Sequence, residues 1–195
     1  MIRRFLAQVI MFRSYQIYGM CCLESSAPEN VTGEKIFFLT SKSVDSFSKL
    51  TSQLIDLNRE NSNYIDDIRR DLMVGVIVEF CGKLVHYGFL YKHNRTSCLL
   101  GLPHGCALIG NSFTVPAYRG RGCQGRSVLA RGLAAREAGF SAIFAETSIE
   151  NVNSGKGLVK AGMQHLGRMD LIVIARVFVI RWRRPTGFSV LEFCT

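Results

Sequence analysis

Between Arg119 and Arg136 the chain carries five arginines, at 119, 121, 126, 131 and 136, and no acidic residue. The same stretch opens with Gly120, Gly122 and Gly125, three glycines within six positions. A glycine loop that opens a helix leaves backbone N–H groups without intrahelical partners, and the helix dipole adds partial positive charge at the same point. That combination suits a phosphate or pyrophosphate. The plainer alternative is a tight turn followed by a solvated basic helix face. Groups able to move a proton are Glu146 and four histidines, at 86, 93, 104 and 165. Cys123 stands at a helix start, where a thiol can be activated, although an inward-facing packing role fits it as well.

The elements that must hold these groups follow from periodicity. Ile109, Phe113 and Val115 alternate with Gly110, Ser112 and Thr114, the period of a strand with one face left open. Val128, Leu129, Leu133 and Ala134 recur at helical spacing, and Gly139 stands where a C-terminal cap belongs. Further upstream, Tyr15 to Cys22 reads as a strand, Ser25 to Lys35 as a polar loop and Ile36 to Leu39 as a short strand. Phe47, Leu50 and Leu54 mark one helix, and Ile65, Ile68 and Leu72 a second. Met73 to Phe80 and Leu84 to Tyr91 form a hairpin turning at Cys81-Gly82, and Lys92 to Gly105 reads as a loop. Downstream, Ala142 to Ala145 is a short buried strand ending on Glu146, and Thr147 to Asn151 is a polar loop. Asn153 or Ser154 caps a helix that stops at Gly162. Asp170 to Trp182 is one long strand or two joined near Ala175-Arg176.

At 195 residues and 48% hydrophobic composition the chain suits one core, hence a single domain over residues 1–195. A net charge of +9 favours anionic partners without choosing among nucleic acid, acidic membrane and phosphorylated cofactors. Seven cysteines (21, 22, 81, 98, 106, 123 and 194), odd in number and irregular in spacing, point to reduced thiols in a cytoplasmic protein. No pair has zinc-finger spacing, so no metal is expected. Met1 to Phe12 mixes Arg3 and Arg4 with apolar residues, but it is short for a signal peptide and lacks a cleavage pattern. Arg176 interrupts the longest apolar run, near Leu171 to Ile180, so a bilayer-spanning segment is not expected.

Three readings of the loop compete. Gly120-x-Gly122-x-x-Gly125, with Glu146 downstream, matches the dinucleotide fingerprint, but Pro116 to Arg119 intervenes where that fold ends its strand on the first glycine. Gly120 to Ser127 nearly spells a nucleoside-triphosphate loop with Arg126 in the lysine position, where a planar guanidinium is a poor substitute. The third reading uses more of the chain. Arg119-Gly120-Arg121-Gly122-Cys123-Gln124 resembles the pyrophosphate motif [RQ]-x-x-G-x-[GA] of the GNAT superfamily of N-acetyltransferases, with Gln124 departing from glycine or alanine. Asn151-x-x-Ser154, followed by Lys160-Ala161-Gly162-Met163, is similar to that family's second signature, with methionine replacing phenylalanine. Two spaced signatures on the expected elements carry more weight than one loop.

The resemblance implies an α/β (α+β) fold: a single GNAT-like domain with a mixed sheet of about six to seven strands flanked by helices, its motif-bearing core at 107–163. It implies acetyl-CoA as co-substrate, no metal, and transfer of an acetyl group to a primary amine by direct attack. The backbone of Phe113, Thr114 and Val115 is then expected along the pantetheine arm, and Arg119, Gly120, Arg121, Gly122, Cys123, Gln124 and Gly125 around the pyrophosphate. Asn151, with Ser154 beside it, is expected at the pantetheine or acetyl end. Glu146 falls where some members carry a general base, against the simpler reading of a carboxylate paired with an arginine. Leu158 occupies the place of the tyrosine with which many members protonate the leaving thiolate. The implied acceptor is a small-molecule or peptide amine, with no membrane or nucleic-acid partner, and a homodimer is allowed. A non-catalytic protein that binds CoA or phosphate through the same loop is the alternative, and Arg181-Trp182-Arg183-Arg184 would serve it as a basic patch with an aromatic.

Overall fold

Apolar residues alternating along the chain build strands, and those strands assemble around residues far apart in sequence. The computed structural model describes residues 10–22, 27–29, 31–92 and 94–193. Its strands are β1 (Ile10–Cys21), β2 (Glu34–Leu39), β3 (Met73–Phe80), β4 (Lys83–Tyr91), β5 (Cys106–Thr114), β6 (Ala142–Ser148), β7 (Gln164–Ile174), β8 (Phe178–Arg183) and β9 (Leu191–Phe193). Its helices are α1 (Ser48–Leu57), α2 (Asn61–Arg69), α3 (Arg95–Leu100), α4 (Cys123–Glu137) and α5 (Val152–Lys160). The strands join in one sheet in the order β2-β3-β4-β5-β6-β1-β7-β8-β9. β5 and β6 run parallel and the other neighbours antiparallel. A doubly wound parallel sheet, which the dinucleotide reading requires, is therefore not formed.

Strand alternation divides the apolar residues between two cores. Leu50, Leu54, Ile65 and Ile68 of α1 and α2 pack with Ile77, Phe89, Leu108 and Met169 on one face. On the other, Val128, Ala135 and Leu158 of α4 and α5 pack with Tyr18, Ile109, Ile143 and Ala145. Among the described residues no helix is long and apolar enough to cross a membrane.

Nine strands stand where six to seven were expected. β1 inserts between β6 and β7, pairing Tyr18 with Ala145 on one side and His165 on the other, and the strand that precedes the two helices and neighbours the hairpin is β2. The surplus lies in the C-terminal part, where β9 pairs with β8 and the run before it turns back on itself. Ala175 (φ 49) and Arg176 (φ 64) both take left-handed dihedrals at the centre of a tight turn in which the Val177 amide donates to Ile174 O at 3.1 Å, so Asp170 to Trp182 is two strands. The β3–β4 turn does the same at Cys81 (φ 50) and Gly82 (φ 80).

Smaller departures have local causes. α3 forms inside the expected loop because Asn94 accepts from the Ser97 amide as its N-cap and Gly101 (φ 65) closes it. Leu72 falls beyond the end of α2 and is exposed. Arg181 is 0% exposed rather than part of a surface patch, and donates to the carbonyls of Leu99 and Cys98, to Ser189 and to Glu192. Arg183 faces Asp170 at 3.6 Å, and Arg184 donates to Phe188 O. The run 181–184 thus ties β8 to its neighbours, and Trp182 stands 54% exposed against Phe12. Cys98 is disulfide-bonded, against the expectation of seven reduced thiols. Residues 1–9 of the basic N-terminal dozen, His93 and Cys194 lie outside the described residues.

Candidate functional site

A split in the sheet creates the site. β5 and β6 pair from Cys106–Ala142 to Ile109–Ala145 and then part. Opposite Gly88, β5 carries one extra residue, since Phe89 pairs with Gly110 but Tyr87 with Phe113. Asn111 takes φ 46 at this bulge, which bends β5 away from β6. The edge of β5 that faces β6 is then unpaired beyond Ile109, a row of backbone groups on which an extended ligand can add as a strand. Phe113 and Thr114 border this opening. Val115 does not, because its N–H donates to Val85 O at 2.9 Å.

The opening leads to the glycine loop. Gly120 (φ 79) and Gly122 (φ 77) adopt left-handed dihedrals, and Gly122 is the N-cap of α4 with no side chain capping it. The first amide to reach a helical carbonyl is that of Arg126, to Gly122 O at 3.2 Å. The amides of Cys123, Gln124 and Gly125 therefore have no helical acceptor. Arg126 is not part of the free positive field: it grips Glu34 with two nitrogens (Nε to Oε1, 2.6 Å) and donates to Arg121 O, locking the loop to β2. Arg121 lies over the Tyr118 ring at 5.0 Å, and Arg119 donates to Thr114 O at 3.3 Å. A groove of about 1110 Å³ runs from this loop along Ser112 to Thr114 and onto α5.

The departure at Gln124 has a structural partner. A Cβ on Gly157 would lie 2.4 Å from Gln124 Oε1, so the large side chain fits because α5 carries a glycine opposite it. Gly155 does the same for Tyr18, whose hydroxyl would lie 2.2 Å from a Cβ there. Asn151 is itself the N-cap of α5, accepting from the Ser154 amide at 3.2 Å, in place of Asn153 or Ser154. With its carbonyl so engaged, its NH₂ is the group left for a ligand. Asn151 and Ser154 line both the groove and a polar chamber of about 250 Å³ that continues from it between the parted strands.

Glu146 lines that chamber. Burial raises its pKa, and among the described residues no ion pair or side-chain hydrogen bond engages its carboxylate, so the arginine-paired reading is not what forms. Tyr15 and Tyr91 both feel its charge. A partly buried, unpaired carboxylate with a raised pKa is equipped to accept a proton near neutrality. His86, by contrast, has its pKa pulled down to about 3, first by burial and then by the charges of Arg131 and Arg126. Its Nδ1 meets Thr114 Oγ1 at 2.7 Å and it is a packed, neutral ring. His165 bonds Gln16 and lines a separate cavity of about 580 Å³ on the outer side of α5. Cys123 is buried with Val78 and Val85, and burial pushes its thiol pKa up, which removes it as a nucleophile. Leu158 is buried at the chamber wall. Among the described residues no cluster of histidine, cysteine, aspartate and glutamate could hold a metal ion.

Two buried polar groups of α4, one of them on the chamber wall, escaped sequence reasoning. Ser127 and Arg131 sit at helical positions where polar residues read as solvent-facing, yet both are buried beneath β4. The only signal was their spacing, i and i+4, which places both on one face of α4.

No family model matches the sequence, and no curated protein matches it. Solved structures do resemble the fold. A Drosophila protein superposes with a TM-score of 0.58 at 14% identity, over 90% of this chain and 56% of its own. A GCN5-related N-acetyltransferase from Kribbella flavida gives 0.54 at 8% identity, over 88% and 62%. The aminoglycoside N-acetyltransferase AAC(6')-Iy, solved with the bisubstrate analogue CoA-S-monomethyl-acetylneamine, gives 0.51 at 16% identity, over 68% and 91%. The chain thus spans little more than half the length of the first two. Its fold is GNAT-like, with a mixed sheet carrying more strands than expected.

Proposed function

We propose that the protein is an N-acyltransferase that takes a short acyl group, acetyl in the simplest case, from acyl-CoA to a primary amine in a ternary complex. The observation that carries this reading is the parting of β5 and β6: it joins an anion-binding helix N-terminus at one end to an unpaired, partly buried carboxylate at the other. The uncapped amides of α4 and the loop arginines would hold the pyrophosphate, and the free edge of β5 would hold the pantetheine. Backbone amides at the β5 bulge would be available to a developing oxyanion. Glu146 would take the proton as the amine nitrogen bonds to the acyl carbon and the carbon–sulfur bond breaks. The residues that do this fall within 107–163, and the rest of 1–195 would complete the same unit. Solved neighbours include enzymes for aminoglycosides, which makes a small-molecule amine the first acceptor to test.

Thiol release from acetyl-CoA, measured against a panel of polyamines, aminoglycosides and peptides, is the direct experiment. Release above the hydrolysis rate with at least one amine is the expected result. Tight CoA binding without release from any amine would favour the non-catalytic alternative, and no binding at all would remove both.

With Leu158 in the place of an acid, the thiolate departs without a proton in flight, as a thiol of pKa near about 8.5 permits. The kcat profile at saturating acyl-CoA should therefore rise as Glu146 and the amine lose protons and then level off. The lower rise should lie above the ordinary carboxylate range, since burial raises Glu146. A descending limb between about pH 7 and 9, with an acceptor of known pKa, would reveal an acid elsewhere.

A further inference from the structure

Among the described residues two arginines are fully buried, Arg131 and Arg181, and a third, Arg126, is nearly so; only Arg131 meets no carboxylate. Arg126 is gripped by Glu34, and Arg181 meets Glu192 at 3.1 Å. Arg131, 1% exposed, has no ion-pair partner among the described residues. Its Nε donates to Ser127 O at 3.1 Å and its Nη1 to Phe89 O at 3.4 Å, while Nη2 has no acceptor. A guanidinium offers five N–H donors, so most of its capacity is unused. Burial alone pulls its pKa down to about 10, which leaves it charged at neutral pH. An unpaired buried charge is costly to any fold, and a site that retains one is completed by an anion from outside.

The position of this cation says which anion. Arg131 lines the inner chamber, beyond the point where Thr114 and the glycine loop would hold the rest of a CoA ester. A Cβ on Gly88 would lie 2.9 Å from Arg131 Cζ and 2.7 Å from Ser112 Oγ, so the guanidinium and the serine hydroxyl converge over that glycine. Ser127 Oγ, also buried and without a partner, lies one turn away on the same helix. Neighbouring His86 is held neutral and offers no negative charge. Glu146 lines the chamber too, but strand alternation sends it to the α1–α2 side of the sheet, with Phe144, whereas Arg131 comes from α4 on the other side. The two do not pair.

We propose that the chamber receives an acyl group ending in a carboxylate, such as malonyl or succinyl, and that Arg131 with Ser112 binds that carboxylate. This rests on the acyl-CoA reading given above and deepens it: the transfer is unchanged, and the selectivity lies in the far end of the acyl group.

Calorimetry with acetyl-, malonyl- and succinyl-CoA separates the two readings. In the unmodified protein at least one of the two dicarboxylic esters should bind about tenfold or more tightly than acetyl-CoA, as a charge-assisted fork in a dry site provides. Arg131→Leu should bring the ratio to about one, with circular dichroism to check the fold. Should that variant not fold, the ratio in the unmodified protein decides, and Arg131→Lys, which keeps the charge and loses the fork, should keep a reduced preference. Acetyl-CoA binding as tightly as both dicarboxylic esters, or an undiminished preference in Arg131→Leu, overturns the proposal and leaves the acyltransferase standing. Failure of every CoA ester to bind overturns both.

Discussion

Gly122→Asp should weaken acyl-CoA binding by about a hundredfold or more while the fold persists. Gly122 caps α4 at φ 77, and its neighbouring amides face the place where a pyrophosphate would lie. An aspartate there sets a carboxylate against two phosphates, and like charges brought together at a binding surface cost several kcal/mol, so affinity should fall by about a hundredfold or more. The backbone can bear the change, since aspartate is among the residues that visit left-handed dihedrals, at a strain of about 1–2 kcal/mol. A Cβ at this position approaches Arg126 Nη1 to 2.9 Å, the flexible end of a side chain. Competition with Glu34 for Arg126 would loosen the loop further in the same direction. Calorimetric titration beside thermal unfolding tests this, and an unchanged CoA affinity in a folded variant would remove the loop from the site.

Turnover in Glu146→Gln should drop by about a hundredfold or more, with little change in acyl-CoA affinity. The amide keeps the size and polarity of the carboxyl but cannot accept a proton at neutral pH. Because Glu146 has no ion pair, its neutralisation leaves no arginine stranded, so a fall in rate reports chemistry rather than unfolding. The low-pH rise in kcat should vanish with it. If the variant turns over at the original rate with its pH profile intact, the base is another group or a water, and Glu146 serves the chamber's shape.

The helices α1, α2, α4 and α5, the β3–β4 hairpin and the glycine loop were legible in the sequence because each is set locally. Helical and strand periods, a cap and a turn glycine need no knowledge of distant residues. Glu146 and Asn151 were singled out differently, through the resemblance of the surrounding segments to the GNAT signatures. Sheet order could not. An alternating segment such as Tyr15 to Cys22 announces that it has two faces, but not which strands flank it, and the insertion of β1 between β6 and β7 depends on partners more than a hundred residues away.

Charge was the least legible property. Five arginines without an acidic neighbour read as one positive field, yet Arg126 is neutralised by Glu34 across 92 positions and Arg131 lies inside the protein. Arg181, read as surface, is fully buried. The sequence determined which residues are charged and on which helix or strand they stand, since composition and local period are properties of the chain itself. Tertiary structure alone decided which of those charges are solvated, which are paired and which one is left facing a chamber, because burial and counter-charge come from segments that meet only when the sheet closes.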